Sequence, residues 1–159
     1  MATQLVMYEE EFHRINAVCD RLTKDANAKV VFLVDKNGQL ISAAGQTHNI
    51  DTTSLASLTA GNVAAMGGLA KLIGENEFPN QFHEGARDSL YMTLVGGRVV
   101  LVVIFDNRTS LGLVRLRIKK AQDELEKIFA ALAARASVPG AGSPFAEISD
   151  ADIDNLFSE

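Results

Sequence analysis

The chain has 159 residues, and its apolar content of 47% and charged content of 22% are ordinary for a globular domain with a real core. The net charge of −5 lies entirely in residues 137–159, which hold five acidic and no basic residues, so residues 1–136 are neutral. A neutral body lacks the basic footprint that a phosphate backbone requires, and we therefore expect no nucleic acid as a partner.

The sequence also indicates the cellular compartment in which the protein is expected. Cys19 is the single cysteine, so no intramolecular disulfide is possible and a reducing compartment is indicated. Residues 1–5 show no basic region followed by an apolar run, so no signal peptide is expected. The longest apolar runs, residues 30–34 and 99–105, are too short to cross a membrane as helices. We expect a cytoplasmic protein with no membrane insertion.

The first part of the chain predicts a helix followed by a hairpin. Apolar residues at helical spacing predict a helix from about Gln4 to Asp25. This stripe consists of Leu5, Tyr8, Phe12, Ile15, Cys19 and Leu22. Residues 30–34 predict a strand buried on both faces, and residues 39–44 predict the return strand. Between them, residues 35–38 end in Asn-Gly, which favours a tight turn.

A central helix is predicted from Asp51 to Ile73, with Asp51 or Thr52 as its N-cap and Gly74 at its end. Large apolar residues at helical spacing predict its core-facing stripe, namely Leu55, Leu58, Met66, Leu69 and Ile73. The opposite face carries small residues and one charge, namely Ser57, Ala60, Gly61, Ala64, Gly68 and Lys71.

Glycine inside a helix costs about 1 kcal/mol relative to alanine. Gly61 and Gly68 are therefore unfavourable for the helix itself, and we predict that this face of small residues contacts a protein partner. Packing against a second copy of the chain alone would also explain it.

The second part of the chain predicts three strands and a last helix. The strands are expected at residues 81–84, 89–95 and 98–105, with a two-residue turn at Gly96-Gly97. The last helix begins at Thr109 or Ser110 and runs to about residue 136. Its predicted core stripe includes Leu113, Leu116, Ala121, Leu125, Ile128 and Leu132.

The order α-β-β-α-β-β-β-α predicts an α/β (α+β) sandwich in residues 1–136. A five-stranded antiparallel sheet would bury every stripe if the central helix covered one face and the terminal helices covered the other. The edge strand near Phe82 would be open to pairing with a second copy.

Residues 137–159 are expected to form a separate, disordered tail. Residues 137–144 have the Pro/Gly/Ser composition of a linker. In the segment that follows, acidic residues alternate with apolar ones, and Ser149 could cap a short helix. The apolar residues form a predicted partner motif of Phe145, Ile148, Ile153, Leu156 and Phe157. A segment this short is not stable alone and is typical of a motif that folds against a partner.

We find no catalytic, cofactor or metal motif. His13, His48 and His83 are scattered over different elements without cysteine or carboxylate at ligand spacing, so no metal site is expected. No phosphate-binding G-x-x-x-x-G-K-[ST] loop occurs, so nucleotide binding by this chain is not expected. The basic cluster of Arg115, Arg117, Lys119 and Lys120 is interpreted as a solvated helix face.

Several segments, taken in order, resemble the Roadblock/dynein light-chain family. They are residues 31–41, the Ala/Gly-rich central helix, residues 95–102 and residues 110–115, and the resemblance spans residues 4–136. It implies a homodimer with a continuous sheet, built through the central helix and the strand after it. It also implies a GTPase-activating role in cell polarity and motility, with the protein concentrated at a cell pole. The Ras-like small GTPase is expected to dock on the central-helix side. The tail is predicted to contact this GTPase or another polarity protein.

The sequence also contains candidates for a different activation mechanism and is compatible with two other functions. Arg87, Arg98 and Arg108 are candidates for an arginine finger, but we interpret them as turn and surface residues. The resemblance implies instead that the activator moves the catalytic residues of the GTPase into place. A non-catalytic scaffold dimer and a small-molecule sensor are the alternatives, and the apolar interior disfavours the sensor.

Overall fold

The computed structural model describes residues 8–136 and contains the eight predicted elements in the predicted order. The helices are α1 (Glu9–Asp25), α2 (Thr52–Leu72) and α3 (Leu111–Ala136). The strands are β1 (Val30–Asp35), β2 (Leu40–Gly45), β3 (Asn80–Glu84), β4 (Ser89–Val95) and β5 (Val99–Phe105). The sequence predicts a helix that already includes Tyr8, and this is wrong. Tyr8 is extended (φ −94°, ψ 149°) and precedes the first helical residue, Glu9.

The strands form one antiparallel sheet in the order β2-β1-β5-β4-β3. Both predicted tight turns are confirmed. Gly38 adopts φ +93°, while Gly96 and Gly97 adopt φ +61° and +71°, a backbone region that favours glycine. These short turns place β1 beside β2 and β4 beside β5. Because β1 also pairs with β5, and β4 with β3, the two edges of the sheet are β2 and β3.

Each face of the sheet has its own core, as predicted. Val31, Leu33 and Leu101 point toward α1 and α3, whereas Phe32 and Val102 point toward α2. Successive residues of a strand point to opposite faces, so a strand covered by helices on both sides is apolar throughout. This explains why β1 is buried at all six positions.

The start of α1 is tied to the end of α3 by a partly buried ion pair. Arg135 donates to both carboxylate oxygens of Glu11, at 2.9 and 3.0 Å, and its guanidinium lies 4.0 Å from the ring centre of Tyr8. Glu11 is only 6% exposed. Removing Arg135 would leave the buried carboxylate of Glu11 without a compensating charge.

Cys19 is confirmed as a small buried residue on the core side of α1. Burial raises the pKa of its thiol to about 11. The thiol is therefore protonated and poorly reactive at neutral pH. Two other stripe predictions are wrong, because Leu116 is 63% exposed and Phe12 is 39% exposed.

Candidate partner-binding surface

Helix α2 begins and ends where the sequence predicts. The Asp51 carboxylate accepts a hydrogen bond from the Ser54 N–H at 3.1 Å and another from the Ser54 hydroxyl at 2.7 Å. These bonds lower the pKa of the Asp51 carboxyl. Gly74, at φ +85°, follows the last turn and donates its N–H to the Lys71 carbonyl. Asp51 is thus the N-cap, and the helix is one continuous element from Thr52 to Leu72.

The predicted core-facing stripe of α2 is wrong, although Leu55 packs against the core beneath the helix and most of the small-residue face is exposed, as predicted. The residues that it buries are small, namely Ala56, Thr59 and Ala70. Leu58, Leu69 and Ile73, which were expected in the core, are 74%, 47% and 63% exposed, while Leu55 and Met66 are only half-buried. Small side chains let the helix lie close to the sheet, where Phe32 already fills the space beneath it.

The outward side of α2 is therefore an exposed apolar surface. Leu72 is 84% exposed, and four of the eight large hydrophobic side chains exposed within residues 8–136 belong to α2 and its C-cap. Burying one leucine stabilises an assembly by about 1.5–3 kcal/mol, so this side has a strong tendency to associate. Large apolar patches of this kind on a soluble protein indicate a protein interface.

The glycines on this side of α2 are not required by the fold of the chain itself. A Cβ atom at Gly61, Gly67 or Gly68 would have no atom within 4 Å outside the local backbone. By contrast, a Cβ at Gly45 would lie 2.2 Å from the Lys29 carbonyl oxygen, at φ +92°. The small residues of α2 therefore leave open space on the surface of the monomer.

Replacing Gly61 and Gly68 together by Ala is expected to raise the free energy of unfolding by about 1–2 kcal/mol, because alanine favours a helix and meets no clash. Urea denaturation at a fixed protein concentration measures this gain. The same variant should bind its protein partner less tightly. A loss of stability that grows on dilution would contradict the prediction and place these glycines in a contact between two copies.

A groove of about 460 Å³ runs beside α2. One wall is lined by Ala60, Ala64, Gly67, Gly68 and Lys71. Lys36 and Glu77 line the opposite side, and their charged atoms lie 3.6 Å apart. The structure thus brings together Ala60, Ala64, Gly68 and Lys71 of the predicted partner-binding set. Ser57 and Gly61 do not line the groove and are exposed beside it.

Strand β3, which follows α2 in the chain, has one edge without a neighbouring strand. It pairs only with β4, so its other edge is free among the described residues, as predicted for an edge strand. Phe82 on β3 is 39% exposed and stacks on Phe105, with 6.2 Å between ring centres. The groove is also lined by Asn76, Glu77 and Phe78, which connect α2 to β3.

The three candidate arginines differ in their surroundings. Arg98 Nε lies 3.6 Å from the buried carboxylate of Asp35, and Arg108 Nε donates to Asp106 at 3.0 Å. The hydrogen bonds from Arg108 also lower the pKa of the Asp106 carboxyl. Arg87 is exposed in the turn between β3 and β4. Arg98 and Arg108 are thus engaged with neighbouring carboxylates.

The histidines lie on separate elements, with His13 on α1, His48 before α2 and His83 on β3. Residues 8–136 contain no group of three His, Cys, Asp or Glu side chains that could hold a metal ion. None of the three described helices has the length and apolar character needed to cross a membrane.

The family model described as the Roadblock/LC7 domain matches residues 14–105. The chain belongs to the Roadblock/LC7 family. The matched range runs from α1 to the end of β5 and so includes α2, its groove and β3. The predicted resemblance to the Roadblock/dynein light-chain family is confirmed.

Within the Roadblock/LC7 family the chain is similar to solved structures of MglB. Myxococcus xanthus MglB is 91% identical, with a TM-score of 0.77, over 80% of this chain and 96% of that chain. The gliding protein MglB from Thermus thermophilus is 31% identical, with a TM-score of 0.76, over 82% and 99%. An MglB structure with a tetrameric arrangement is 30% identical, with a TM-score of 0.77, over 83% and 99%. No curated protein matches the chain significantly.

Proposed function

We propose that this Roadblock/LC7 chain is a GTPase-activating protein for a Ras-like small GTPase of the MglA kind, acting in cell polarity and motility at a cell pole. The observation that carries the proposal is the exposed side of α2, with its leucines and its open groove of small residues. The high identity to Myxococcus xanthus MglB supports it. No active site is assigned to this chain.

The active form is proposed to be a homodimer. The free edge of β3 offers backbone hydrogen-bonding groups to a second copy, and the exposed leucines of α2 offer apolar surface next to it. Pairing of the two β3 edges would continue the sheet across the dimer. The GTPase would then dock on the α2 side, against the set of Ser57, Ala60, Gly61, Ala64, Gly68 and Lys71.

Activation is proposed to proceed without an arginine finger. The dimer would bind the catalytically competent conformation of the GTPase more tightly than its resting conformation. Shifting a two-state equilibrium from 1:99 to 99:1 requires about 5.5 kcal/mol of differential binding. Apolar contact between switch segments of the GTPase and the part of the α2 side that stays exposed in the dimer can supply free energy of this size.

Single-turnover hydrolysis of GTP by the GTPase, with and without this chain, tests the proposal. We expect a large rate increase that saturates with the concentration of the chain. Binding without faster hydrolysis would contradict activation and favour a scaffold dimer that localises polarity or cytoskeletal partners. The same α2 surface would serve that second function.

We expect each of three single variants to keep the activated rate of GTP hydrolysis within about threefold of that of the unchanged chain. The variants are Arg87→Ala, Arg98→Ala and Arg108→Ala. Arginine fingers supplied by other activators contribute about 10³–10⁵ in rate, so the assay separates the two mechanisms clearly. Arg98→Lys serves as a control for the ion pair with Asp35, since it retains the charge. A thousandfold drop in one alanine variant would restore the arginine-finger hypothesis.

The predicted tail, residues 137–159, lies outside the described residues, as does its partner motif of Phe145, Ile148, Ile153, Leu156 and Phe157. We propose that 1–136 is the folded domain and that the tail motif contacts the GTPase or another polarity protein.

A further inference from the structure

Helix α3 presents an exposed basic patch on the side of the sheet opposite to α2. The patch consists of Arg115, Leu116, Arg117, Lys119, Lys120 and Lys127, all exposed. Leu116 is 63% exposed in the middle of these cations and was expected in the core. Two exposed acids of the same helix, Asp123 and Glu126, only partly offset the positive charge.

The cations of this patch have no ion-pair partner within residues 8–136. The nearby Glu124 is already paired with Arg21 of α1, so it does not neutralise them. An apolar side chain surrounded by unpaired cations suits a ligand that is both acidic and apolar. Nucleic acid and lipid surfaces are acidic, but residues 1–136 are neutral overall, so long-range attraction to such large polyanions is weak.

We propose that the acidic tail segment, residues 145–157, docks on the basic patch of α3 in the same chain. This segment carries Asp150, Asp152 and Asp154 between apolar residues, and residues 137–159 hold the whole net charge of −5. The aspartates match the cations of the patch, while Ile153, Leu156 and Phe157 match the exposed Leu116.

The tail is long enough to reach the patch. Leu116 lies 20 positions before Ala136 on α3, a distance of about 30 Å along the helix at 1.5 Å per residue. Residues 137–152, when extended, span up to about 50 Å. Tethering gives the tail an effective concentration in the millimolar range, so even weak contacts suffice for docking. A docked tail is withheld from other partners until they compete for it.

A nitroxide label near the end of the tail of the full chain tests this docking. Ser158→Cys provides the attachment site, and Cys19 stays unlabelled because it is fully buried. We expect the backbone amide signals of Leu116 and Lys120 to lose more than half their intensity at low salt. Because the Debye length falls from about 10 Å at 0.1 M toward 3 Å at 1 M ionic strength, we expect these signals to recover in 1 M NaCl.

A matched pair of double variants identifies the docking surface. Lys119→Glu/Lys120→Glu should abolish the attenuation, whereas Lys36→Glu/Arg87→Glu makes the same change of charge elsewhere and should preserve it. The proposal would be overturned if the attenuation persisted in the first variant or affected α2 instead of α3. It would also be overturned if no attenuation occurred in any sample. A second sample mixes a ¹⁵N chain without nitroxide and a ¹⁴N chain that carries the nitroxide. Equal attenuation in this sample would assign the docking to another copy and would also overturn the proposal.

Discussion

Ala64→Arg is expected to abolish binding of the GTPase while the chain stays folded. Ala64 is exposed and lines the groove beside α2. Arginine is a good helix former, so α2 itself tolerates the change. The long cation would fill the groove and would have to be desolvated when a partner docks, which costs several kcal/mol. We expect an affinity loss of at least 100-fold, or about 2.7 kcal/mol, in calorimetric titration against the GTP-loaded GTPase.

Ala130→Arg is the matched control, because Ala130 is also exposed in the middle of a helix but lies on α3, on the other side of the sheet. It should bind the GTPase normally. Circular dichroism should show the same helix content for both variants. Unchanged affinity of Ala64→Arg would remove the α2 groove from the docking site. A monomeric Ala64→Arg protein would show that the groove serves self-association instead.

The element order and the three-layer arrangement of helix, sheet and helices follow from local patterns in the sequence. The Asn-Gly and Gly-Gly turns predict which strands are neighbours, since turns this short allow only antiparallel hairpins. The apolar runs of β1 and β5 predict that helices cover both faces of the sheet. Asp51 and Gly74 delimit α2 because a cap and a left-handed glycine act through local hydrogen bonds and backbone angles.

The orientation of α2 could not be predicted in the same way. Periodicity assumes that the largest apolar residues of a helix face its own core. Helix α2 has two apolar sides, with Ala56 and Ala70 against the sheet and Leu58 and Leu72 exposed. When one side packs within the chain and the other is left for association, residue size alone cannot tell them apart. The same reasoning applies to Leu116 on α3.

Contacts between residues far apart in the chain also could not be predicted from local sequence patterns. Glu11 and Arg135 form a partly buried ion pair although 124 positions separate them. An acid near the start of a helix is favourable by itself because of the helix dipole, so Glu11 gives no local sign of its distant partner. The groove needs Lys36 and Glu77 from two loops opposite α2, so its small residues were predicted but its other wall was not.

The outward side of α2 differs in character from the surface that the sequence predicts. The small residues were expected to form a bare surface opposite the leucines. In the structure, exposed leucines lie on the same outward half of the helix as Gly61, Ala64 and Gly68. Small residues give a partner close access, and leucines supply apolar area. A surface with both properties favours tight association more strongly than a bare surface would.

Phe32→Ala is expected to cause the largest loss of stability, because Phe32 is completely buried between the sheet and α2. Deleting a buried phenylalanine side chain typically costs about 3–5 kcal/mol, which combines lost transfer free energy and the remaining cavity. Urea denaturation at a fixed protein concentration measures the loss and keeps any contribution of self-association constant.

Phe12→Ala removes the same atoms from a side chain that is 39% exposed, and should cost only about 1–2 kcal/mol. Phe12 lies on α1, across the sheet from α2, so this control should also leave GTPase affinity unchanged. Phe32→Ala should weaken GTPase binding in addition to stability, since the cavity lies directly beneath the helix that forms the docking surface. Equal effects of the two variants would show that α2 is held in place by its outer contacts with other chains rather than by the core beneath it.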